Sequence, residues 1–165
     1  MPPHSLVLSL DDFAAGLPAA GRLMGLDLGT KTIGIAISDT TRMVASGLET
    51  VQRTKFTADA LILAERVKTH AIAGVVIGLP VNLDGSNGPR VQATRAFAAN
   101  LGPKLGLPML LWDERLSTVA AERALLEADA SRKRRKEVID KVAAIIILQG
   151  ALERLREMAR VAGQE

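Results

Sequence analysis

The stretch GLDLGTKTIGIAISD, from Gly25 to Asp39, carries the clearest structural signal in this chain of 165 residues. Two runs of apolar and β-branched residues flank a tight Gly-Thr-Lys turn, which predicts antiparallel strands over Leu23 to Leu28 and Thr32 to Ser38. The first strand carries an aspartate, Asp27, in its middle. Strands disfavour aspartate, and a buried carboxylate without a partner is costly, so Asp27 calls for an explanation.

Small residues surround Asp27 on its side of the predicted hairpin. Alternate residues of a strand share a face, so Gly25, Asp27 and Gly29 point one way, and Gly34 and Ala36 form the small face of the partner strand. A carboxylate in such a cleared patch suits the close approach of an ion or a phosphate. The strand alone is equally consistent with a small face that lets a helix pack closely and an aspartate that closes the hairpin turn.

The rest of the chain alternates helices and strands. The predicted elements are a strand over Met43 to Val51, a helix over Phe56 to His70, a strand over Gly74 to Pro80, a helix from Pro89 to about Leu101, a strand ending at Trp112, a helix from Ser117 or Thr118 to about Ala128, and a long helix from about Glu137 to beyond Leu155. This order predicts an α/β fold with a mixed five-stranded sheet, antiparallel then parallel, and helices on both faces.

The chain length fits one domain, which we expect to span residues 22–165. Residues 1–21 are expected to form an N-terminal extension with a short helix capped by Ser9. This segment lacks the basic region and apolar core of a signal peptide, and no apolar run approaches the roughly 20 residues that span a bilayer. We therefore expect a soluble, cytoplasmic protein.

Composition limits the kinds of site that the chain can build. It has no cysteine and two histidines, so a disulfide framework or a zinc site is not expected. Any metal should be a hard cation held by oxygen, namely Mg²⁺ or Mn²⁺. The formal net charge of +3 and the sequence pI near 9.6 permit a polyanionic partner.

Further carboxylates occur where a ligand would be expected. Asp113 and Glu114 follow the strand that ends at Trp112, and open α/β sheets bind ligands at the carboxyl ends of their strands. Either acid could equally be an ordinary solvated residue before a helix. Asp140 precedes Ala143, Ala144 and Ile147 at helical spacing, so it lies on an apolar helix face, where an acid needs a base or a metal.

Asp27, Glu114 and Asp140, with Asp113 as an alternative to Glu114, form an oxygen-only set without histidine or cysteine. That set suits phosphoryl chemistry with divalent metals, in which two cations about 4 Å apart activate water and stabilise the leaving oxygen. No nucleophile elbow, Walker A loop or Gly-x-Gly-x-x-Gly motif is present. GLDLGT also resembles the phosphate loop of actin-like ATPases, but those need a second lobe for which this chain is too short.

Four ordered segments resemble the YqgF (RuvX) family of the ribonuclease H-like superfamily, described as pre-16S rRNA nucleases and related to RuvC-type Holliday junction resolvases. The segments are GLDLGTKTIGIAISD, VVIGLPVNLDGSNGPR, LWDERLST and DKVAA. The resemblance covers roughly Leu23 to Leu152. It implies a ribonuclease H-like fold, with Asp27, Glu114 and Asp140 as catalytic metal ligands. Glu114 rather than Asp113 aligns with the family's glutamate.

Cations and polar turns near these acids are candidates for contacts with nucleic acid. Pro89 can start a helix whose N-terminus binds phosphate, and a block of cations precedes Asp140, between the last two predicted helices. Each could also be an ordinary cap or a solvated loop. The candidate residues are Lys31, Asn82, Ser86, Arg90, Arg115, Arg132, Lys133, Arg134 and Arg135.

The leading hypothesis is a metal-dependent endonuclease that processes the 5′ end of pre-16S rRNA in ribosome biogenesis, with the rRNA assignment resting on the resemblance. One alternative is a Holliday junction resolvase-like nuclease that acts on branched DNA, and another is a non-catalytic nucleic-acid-binding factor. The expected partners are structured RNA or branched DNA, with no membrane. The protein is expected to be a monomer or a homodimer.

Overall fold

The computed structural model of the chain describes residues 6–82, 84–116 and 132–163, and the side chains of residues 132–140 lie outside this description. Three consecutive strands follow the first helix, and helices and strands alternate after them. In chain order they are β1 (Val7–Leu8), α1 (Leu10–Gly16), β2 (Arg22–Leu28), β3 (Thr32–Ser38), β4 (Ala45–Gln52), α2 (Phe56–His70), β5 (Ile72–Leu79), α3 (Pro89–Leu105), β6 (Met109–Asp113), a 3₁₀ turn (Glu114–Leu116) and α4 (Arg132–Ala162).

The strands form one mixed sheet in the order β1-β6-β5-β2-β3-β4. The hairpin strands β2, β3 and β4 pair antiparallel, whereas β2, β5, β6 and β1 pair parallel. The predicted mixed α/β fold is therefore confirmed. The sheet has six strands in place of the expected five, because residues 7–8 add a parallel edge strand to β6.

The two faces of the sheet build two apolar cores, as the period-two pattern of the hairpin predicts. Met24 and Leu26 of β2 lie in the core beneath α2 and α3. On the opposite face, Leu23 packs with residues of α4, including Ala144 and Leu148. Asp27 belongs to this second face by alternation, so α4 is the helix that covers its side of the sheet.

The N-terminal extension packs into the same domain. Ser9 caps α1 by accepting a hydrogen bond from the Asp12 backbone N–H at 3.2 Å, as predicted. The Phe13 side chain is fully buried, and its ring edge lies 3.0 Å from where a Cβ on Gly74 of β5 would be. Residues 7–16 of this extension therefore contribute both a strand of the sheet and a buried aromatic side chain.

The helix boundaries agree with prediction for α2 and differ for the last two helices. Helix α3 begins at Pro89 as predicted but continues to Leu105, and Gly106 ends it at a φ of 64°. Helix α4 begins at Arg132, so the basic run expected as a connection between helices is backbone helix. The helix predicted from Ser117 or Thr118 to about Ala128 lies outside the described residues. No helix within the described ranges is long and apolar enough to cross a membrane.

Candidate active site

Asp27 stands on the central strand β2 and is 3% exposed. It is paired in register with Gly34 of β3, and Leu26 is paired with Ile77 of the parallel neighbour β5. Continuing that register places Gly78 beside Asp27. The aspartate is therefore flanked by a glycine on each neighbouring strand. Gly34 was predicted from the hairpin, and Gly78 follows from the register of β5.

The small face also admits a helix, which is the second explanation that the sequence left open. A Cβ on Gly25 would lie 2.7 Å from the Cβ of Leu148 and 3.0 Å from the carbonyl oxygen of Ala144. Any side chain at Gly25 would thus push α4 off the sheet. The two explanations apply to different positions, since α4 packs at Gly25 while the carboxylate stands two residues further along β2.

Glu114 follows the carboxyl end of β6 and opens the 3₁₀ turn. Strand β6 is paired to β5 with Gly78 opposite Trp112 and Leu79 opposite Asp113. The Cγ of Glu114 approaches within 3.3 Å of the position of a Cβ on Gly78. Because Gly78 lies beside Asp27 by register, the two acids flank the intervening strand β5 at the carboxyl ends of the parallel strands.

Asp113 is engaged in a different interaction. Arg115 binds both of its carboxylate oxygens, with Nη2 to Oδ2 at 2.6 Å and Nε to Oδ1 at 3.1 Å. The Arg115 backbone N–H also donates to Asp113 Oδ1 at 2.9 Å. The side-chain hydrogen bond from Arg115 is the largest cause of the lowered pKa of Asp113. Asp113 therefore stabilises the turn, and both of its oxygens already accept hydrogen bonds from Arg115. This favours Glu114 over Asp113 as the acid that faces a ligand.

Asp140 lies in α4, one turn before Ala144, whose carbonyl oxygen touches the Gly25 site. The predicted apolar face of this helix is confirmed, because Ala143, Ala144 and Ile147 are all buried against the sheet. The Asp140 side chain itself is outside the described part of the structure. Its backbone position puts it on the helix that crosses β2, toward the N-terminal end of that contact.

The acids present fit a hard cation by their chemistry. Asp27 and Glu114 offer only oxygen donors, which are the donors that Mg²⁺ and Mn²⁺ prefer. Among the side chains that the structure describes, no three histidine, cysteine or acidic groups converge. A third acidic ligand would therefore have to come from outside those side chains, and Asp140 remains the predicted one.

The loop between β5 and α3 is closed by its own polar side chains. Asn82 Nδ2 donates to Ser86 Oγ at 3.0 Å, and Ser86 Oγ donates to Asp84 Oδ1 at 2.6 Å. The hydrogen bond from Ser86 lowers the pKa of Asp84. Arg115 Nη1 reaches 3.3 Å from the position of a Cβ on Gly85, so this loop borders the turn that carries Glu114.

The predicted nucleic-acid contacts fall into two groups, one around the candidate site and one at the start of α4. Asn82, Ser86 and Arg115 lie around the loop and turn just described, although all three have internal partners. Lys31 is exposed in the β2–β3 turn, and Arg90 Nη2 donates to the carbonyl of Leu28 at 3.3 Å beside it. The second group, Arg132, Lys133, Arg134 and Arg135, occupies the first turns of α4, with side chains outside the described part.

One cation near the site was missed by sequence reasoning. Arg53 follows β4 and donates from Nη1 to the carbonyl of Gly29 at 2.6 Å. Its backbone N–H donates to the carbonyl of Lys31 at 2.8 Å. No motif marks this arginine. The pairing of Thr32 with Gln52 is what brings it to the β2–β3 turn, and that register was not assigned from the sequence.

The fold places the chain in a known structural class. The RuvC of T. thermophilus, solved in complex with Holliday junction substrate, superposes with a TM-score of 0.51 at 11% identity, covering 81% of this chain and 96% of RuvC. The yeast mitochondrial Holliday junction resolvase Ydc2 also gives 0.51, at 14% identity, covering 94% of this chain and 89% of Ydc2. At such low identity the likeness concerns the fold alone, which is that of the ribonuclease H-like, RuvC-type proteins.

Sequence comparison narrows this class to a family. The model of the family described as "RuvX: Holliday junction resolvase" matches residues 21–154, and the chain belongs to that family. A curated relative from Rhodobacter capsulatus, named "Putative pre-16S rRNA nuclease", is 62% identical over 154 residues, which is 93% of this chain and 97% of the relative. Both names describe nucleases, so the reaction class is hydrolysis of phosphodiester bonds within a nucleic acid.

Proposed function

We propose that this protein is a metal-dependent endonuclease that cuts precursor 16S rRNA near its 5′ end, with Asp27, Glu114 and Asp140 as the ligands of Mg²⁺ or Mn²⁺. The observation that carries the proposal is the position of Asp27 and Glu114 on either side of Gly78, at the carboxyl ends of the parallel strands. The two acids come from either side of β5, and the glycine between them leaves no side chain in their way, so together they offer a set of oxygen donors.

The fold keeps the proposed metal ligands in fixed positions. Asp27 is fixed by a buried strand, so its carboxylate keeps its position without loss of side-chain freedom during the reaction. Glu114 is oriented by the turn that Arg115 and Asp113 fasten. When bound, the divalent cations would supply an activated water and stabilise the leaving oxygen.

The basic start of α4 supports a polyanionic substrate. Five consecutive cations, from Arg132 to Lys136, open this helix, and its first turn contains no acid. Cations at a helix N-terminus oppose the helix macrodipole, at a cost of about 0.3–1 kcal/mol each when exposed. A bound phosphate backbone would offset that cost, because its charge complements both the side chains and the helix terminus.

The choice of RNA over branched DNA rests on the relatives' names. The curated relative at 62% identity is named for pre-16S rRNA, whereas the structures that are Holliday junction resolvases share only 11–14% identity. The family's own description names the junction, so junction cleavage is retained as the second candidate. Processing of rRNA takes place in the cytoplasm, and we assign the protein there.

A side-by-side cleavage assay tests the proposal. Purified protein with Mg²⁺ or Mn²⁺ is given precursor 16S rRNA fragments and four-way DNA junctions of equal nucleotide concentration, and the Asp27→Asn protein serves as the control. Cleavage of the rRNA precursor by the unmodified protein alone is the expected result. Preferential cutting of the junction would favour the resolvase, and equal residual activity in Asp27→Asn would point to a contaminating nuclease.

Depletion in cells separates cleavage from simple binding. Cells that lack the protein should accumulate small-subunit RNA with an unprocessed 5′ end, and a copy carrying Asp27→Asn should not restore processing. A binding factor would need its basic surface and not its metal ligands. Full rescue by the Asp27→Asn copy would therefore show that the protein acts without catalysis.

A further inference from the structure

A small cavity with two arginines in its wall lies beside the β2–β3 turn. Its volume is about 90 Å³, and its lining comes from the end of β2, the turn itself, the residue after β4, and the first half of α3. A cavity needs roughly 10–15 Å³ to hold one water, so this one has room for a group of several atoms. The lining residues used below are Gly29, Thr30, Arg53, Arg90 and Thr94.

Arg53 is held in place from two sides. Its Nη1 donates to the carbonyl of Gly29 at 2.6 Å, and its guanidinium carbon lies 5.5 Å from the centroid of the Phe97 ring. Stacking on an aromatic face restrains the plane of the guanidinium and leaves its edge available for hydrogen bonds. Arg53 is thus positioned before any ligand arrives.

Arg90 approaches the same turn from α3. Its Nη2 donates to the carbonyl of Leu28, the residue before Gly29, at 3.3 Å. Each guanidinium has five N–H donors, and the hydrogen bonds described here use one on each side chain. Within the described parts of the chain, no Asp or Glu forms an ion pair with Arg53 or Arg90. Two positive groups therefore share one small space without an acidic partner from those residues.

We propose that Arg53 and Arg90 together bind one backbone phosphate of the nucleic acid, next to the phosphodiester that is cut. Planar guanidinium groups recognise phosphate oxygens by paired hydrogen bonds, and two of them in one cavity match a single tetrahedral anion. The exposed Thr30 and the buried Thr94 add hydroxyl groups to the cavity wall.

The position of the cavity explains why the phosphate would flank the cut. Gly29 is two residues beyond Asp27 and one beyond the end of β2, so the two Cα atoms are at most roughly 7 Å apart. The cavity lies on the α3 side of the sheet and Asp27 on the α4 side, so a nucleic-acid strand that crosses this end of β2 would place its reacting phosphate at Asp27 and a neighbouring phosphate at Arg53. This inference rests on the proposed nuclease function for the role of Asp27, whereas anion binding by the two arginines can be tested without cleavage.

The test measures binding in the absence of metal. Labelled precursor rRNA fragments and labelled DNA junctions are titrated with Asp27→Asn protein in EDTA at several KCl concentrations. Arg53→Gln and Arg90→Gln are each added to this background, and Arg95→Gln is the matched control, because Arg95 is an exposed arginine of the same helix α3 outside the cavity. Thermal unfolding of each variant establishes that it is folded.

Each cavity variant is expected to weaken binding roughly tenfold, the size of one missing charge-assisted hydrogen bond. The slope of log K against log[KCl] should fall by about 0.7–0.9, the value for one phosphate. The double variant Arg53→Gln/Arg90→Gln should lower the slope no further, since both arginines serve one phosphate. Slopes that match Arg95→Gln would overturn the proposal, and a doubled reduction would mean two separate phosphates and overturn the shared site.

A free phosphate ion could bind the same two arginines. A second experiment therefore distinguishes free phosphate from a phosphate of the nucleic acid. Inorganic phosphate is added to the unmodified protein and to Arg53→Gln, and protection against thermal unfolding is recorded. Protection that depends on Arg53, together with unchanged nucleic-acid binding in the cavity variants, would make this a site for free phosphate and overturn the proposal. If the cavity variants bind nucleic acid more weakly but the unmodified protein cleaves none, the phosphate site stands and the nuclease function fails.

Discussion

Gly78 leaves room beside it for Glu114 and, more closely, for Ile147 of α4. The Cγ of Glu114 lies 3.3 Å from the position of a Cβ on Gly78, and Ile147 of α4 contacts the same point. We expect Gly78→Ala to shift Glu114 and to lower cleavage about 100-fold, because misplacement of a reacting group by about 1 Å is enough for such a decrease. Initial rates on precursor rRNA measure the effect.

Gly74→Ala is the matched control for this substitution. Gly74 lies on the same face of β5, four residues before Gly78, and its added Cβ would meet the Phe13 ring at 3.0 Å instead of an acid. It should lower the free energy of unfolding by about 1–3 kcal/mol through overpacking while keeping the rate of cleavage. If the two alanine variants reduce activity equally, the effect of Gly78→Ala is one of stability alone.

The three proposed ligands should behave as one unit. Asp27→Asn, Glu114→Gln and Asp140→Asn should each reduce cleavage by roughly a thousandfold or more, and double variants should be little worse, because each substitution disables the same metal centre. Folding should be retained, since removing one carboxylate also removes repulsion between acids in the metal-free protein. Single-turnover cleavage and urea unfolding test both parts. Full activity in Asp140→Asn would refute this ligand set.

Asp113 provides a contrast with its neighbour. Because its two oxygens are bound by Arg115, we expect Asp113→Asn to slow cleavage less than tenfold, through a looser turn. The free energy of unfolding should fall by no more than about 1 kcal/mol, as is usual for a partly exposed ion pair. The same cleavage assay compares Asp113→Asn with Glu114→Gln. An equal decrease in both would show that Asp113 shares in metal binding.

Local periodicity predicted the faces on which two of the proposed site residues lie. The period of two placed Asp27 on the small face of β2, and the period of 3.6 placed Asp140 on the face of α4 that buries Ala144 and Ile147. Strand order was predictable only in outline. Asp27 could be proposed from the small residues around it and Glu114 from its place at a strand end, but their separation by Gly78 depends on the register of β5 with β2 and β6.

Features that depend on distant contacts were missed. Strand β1 has two residues, and only its pairing with Met109 and Leu110 of β6 makes it a strand. Arg53 reaches the β2–β3 turn through the register of β4. The start of α4 was placed five residues late, because the run of cations before Glu137 was interpreted as a solvated loop.

Asp39 gives a prediction on stability and pH at the other end of β3. It accepts hydrogen bonds from the backbone N–H groups of Met43 and Val44 at 2.8 and 3.0 Å and from the hydroxyl of Thr41. The Thr41 hydrogen bond is the largest cause that lowers the pKa of Asp39 to about 2. Since the folded-state pKa is below the unfolded value of about 3.9, the carboxylate stabilises the fold above that pH.

The stabilisation disappears as the pH falls from about 4 toward 2, because the folded protein then also takes up the proton. Asp39→Asn should therefore be less stable than the unmodified protein at pH 6, with a difference that shrinks steadily below pH 4. Urea unfolding at a series of pH values measures this. A difference that is constant with pH would show that the loop is held by hydrogen bonds that do not require the charge.

The cations at the start of α4 should lower the free energy of unfolding and strengthen nucleic-acid binding. We expect replacement of Arg132, Lys133, Arg134 and Arg135 by glutamine, which favours helices, to raise the free energy of unfolding by relieving the unfavourable macrodipole interaction. Nucleic-acid binding should weaken, and the salt slope should fall by about 0.7–0.9 for each phosphate that the variant no longer neutralises. Cleavage at saturating substrate should be largely kept, because the ligands remain.

A control with the same change in charge shows whether position matters. It replaces four exposed cations distant in sequence from this run by glutamine: Lys68, Arg95, Lys104 and Arg154. Weaker long-range attraction alone would affect both quadruple variants alike, whereas direct phosphate contacts at the helix start would make the α4 variant much the weaker binder. Anisotropy titrations over a range of KCl concentrations measure both slopes. Equal slopes, with no gain in stability for the α4 variant, would mean that this run is ordinary solvated surface and that RNA is held elsewhere.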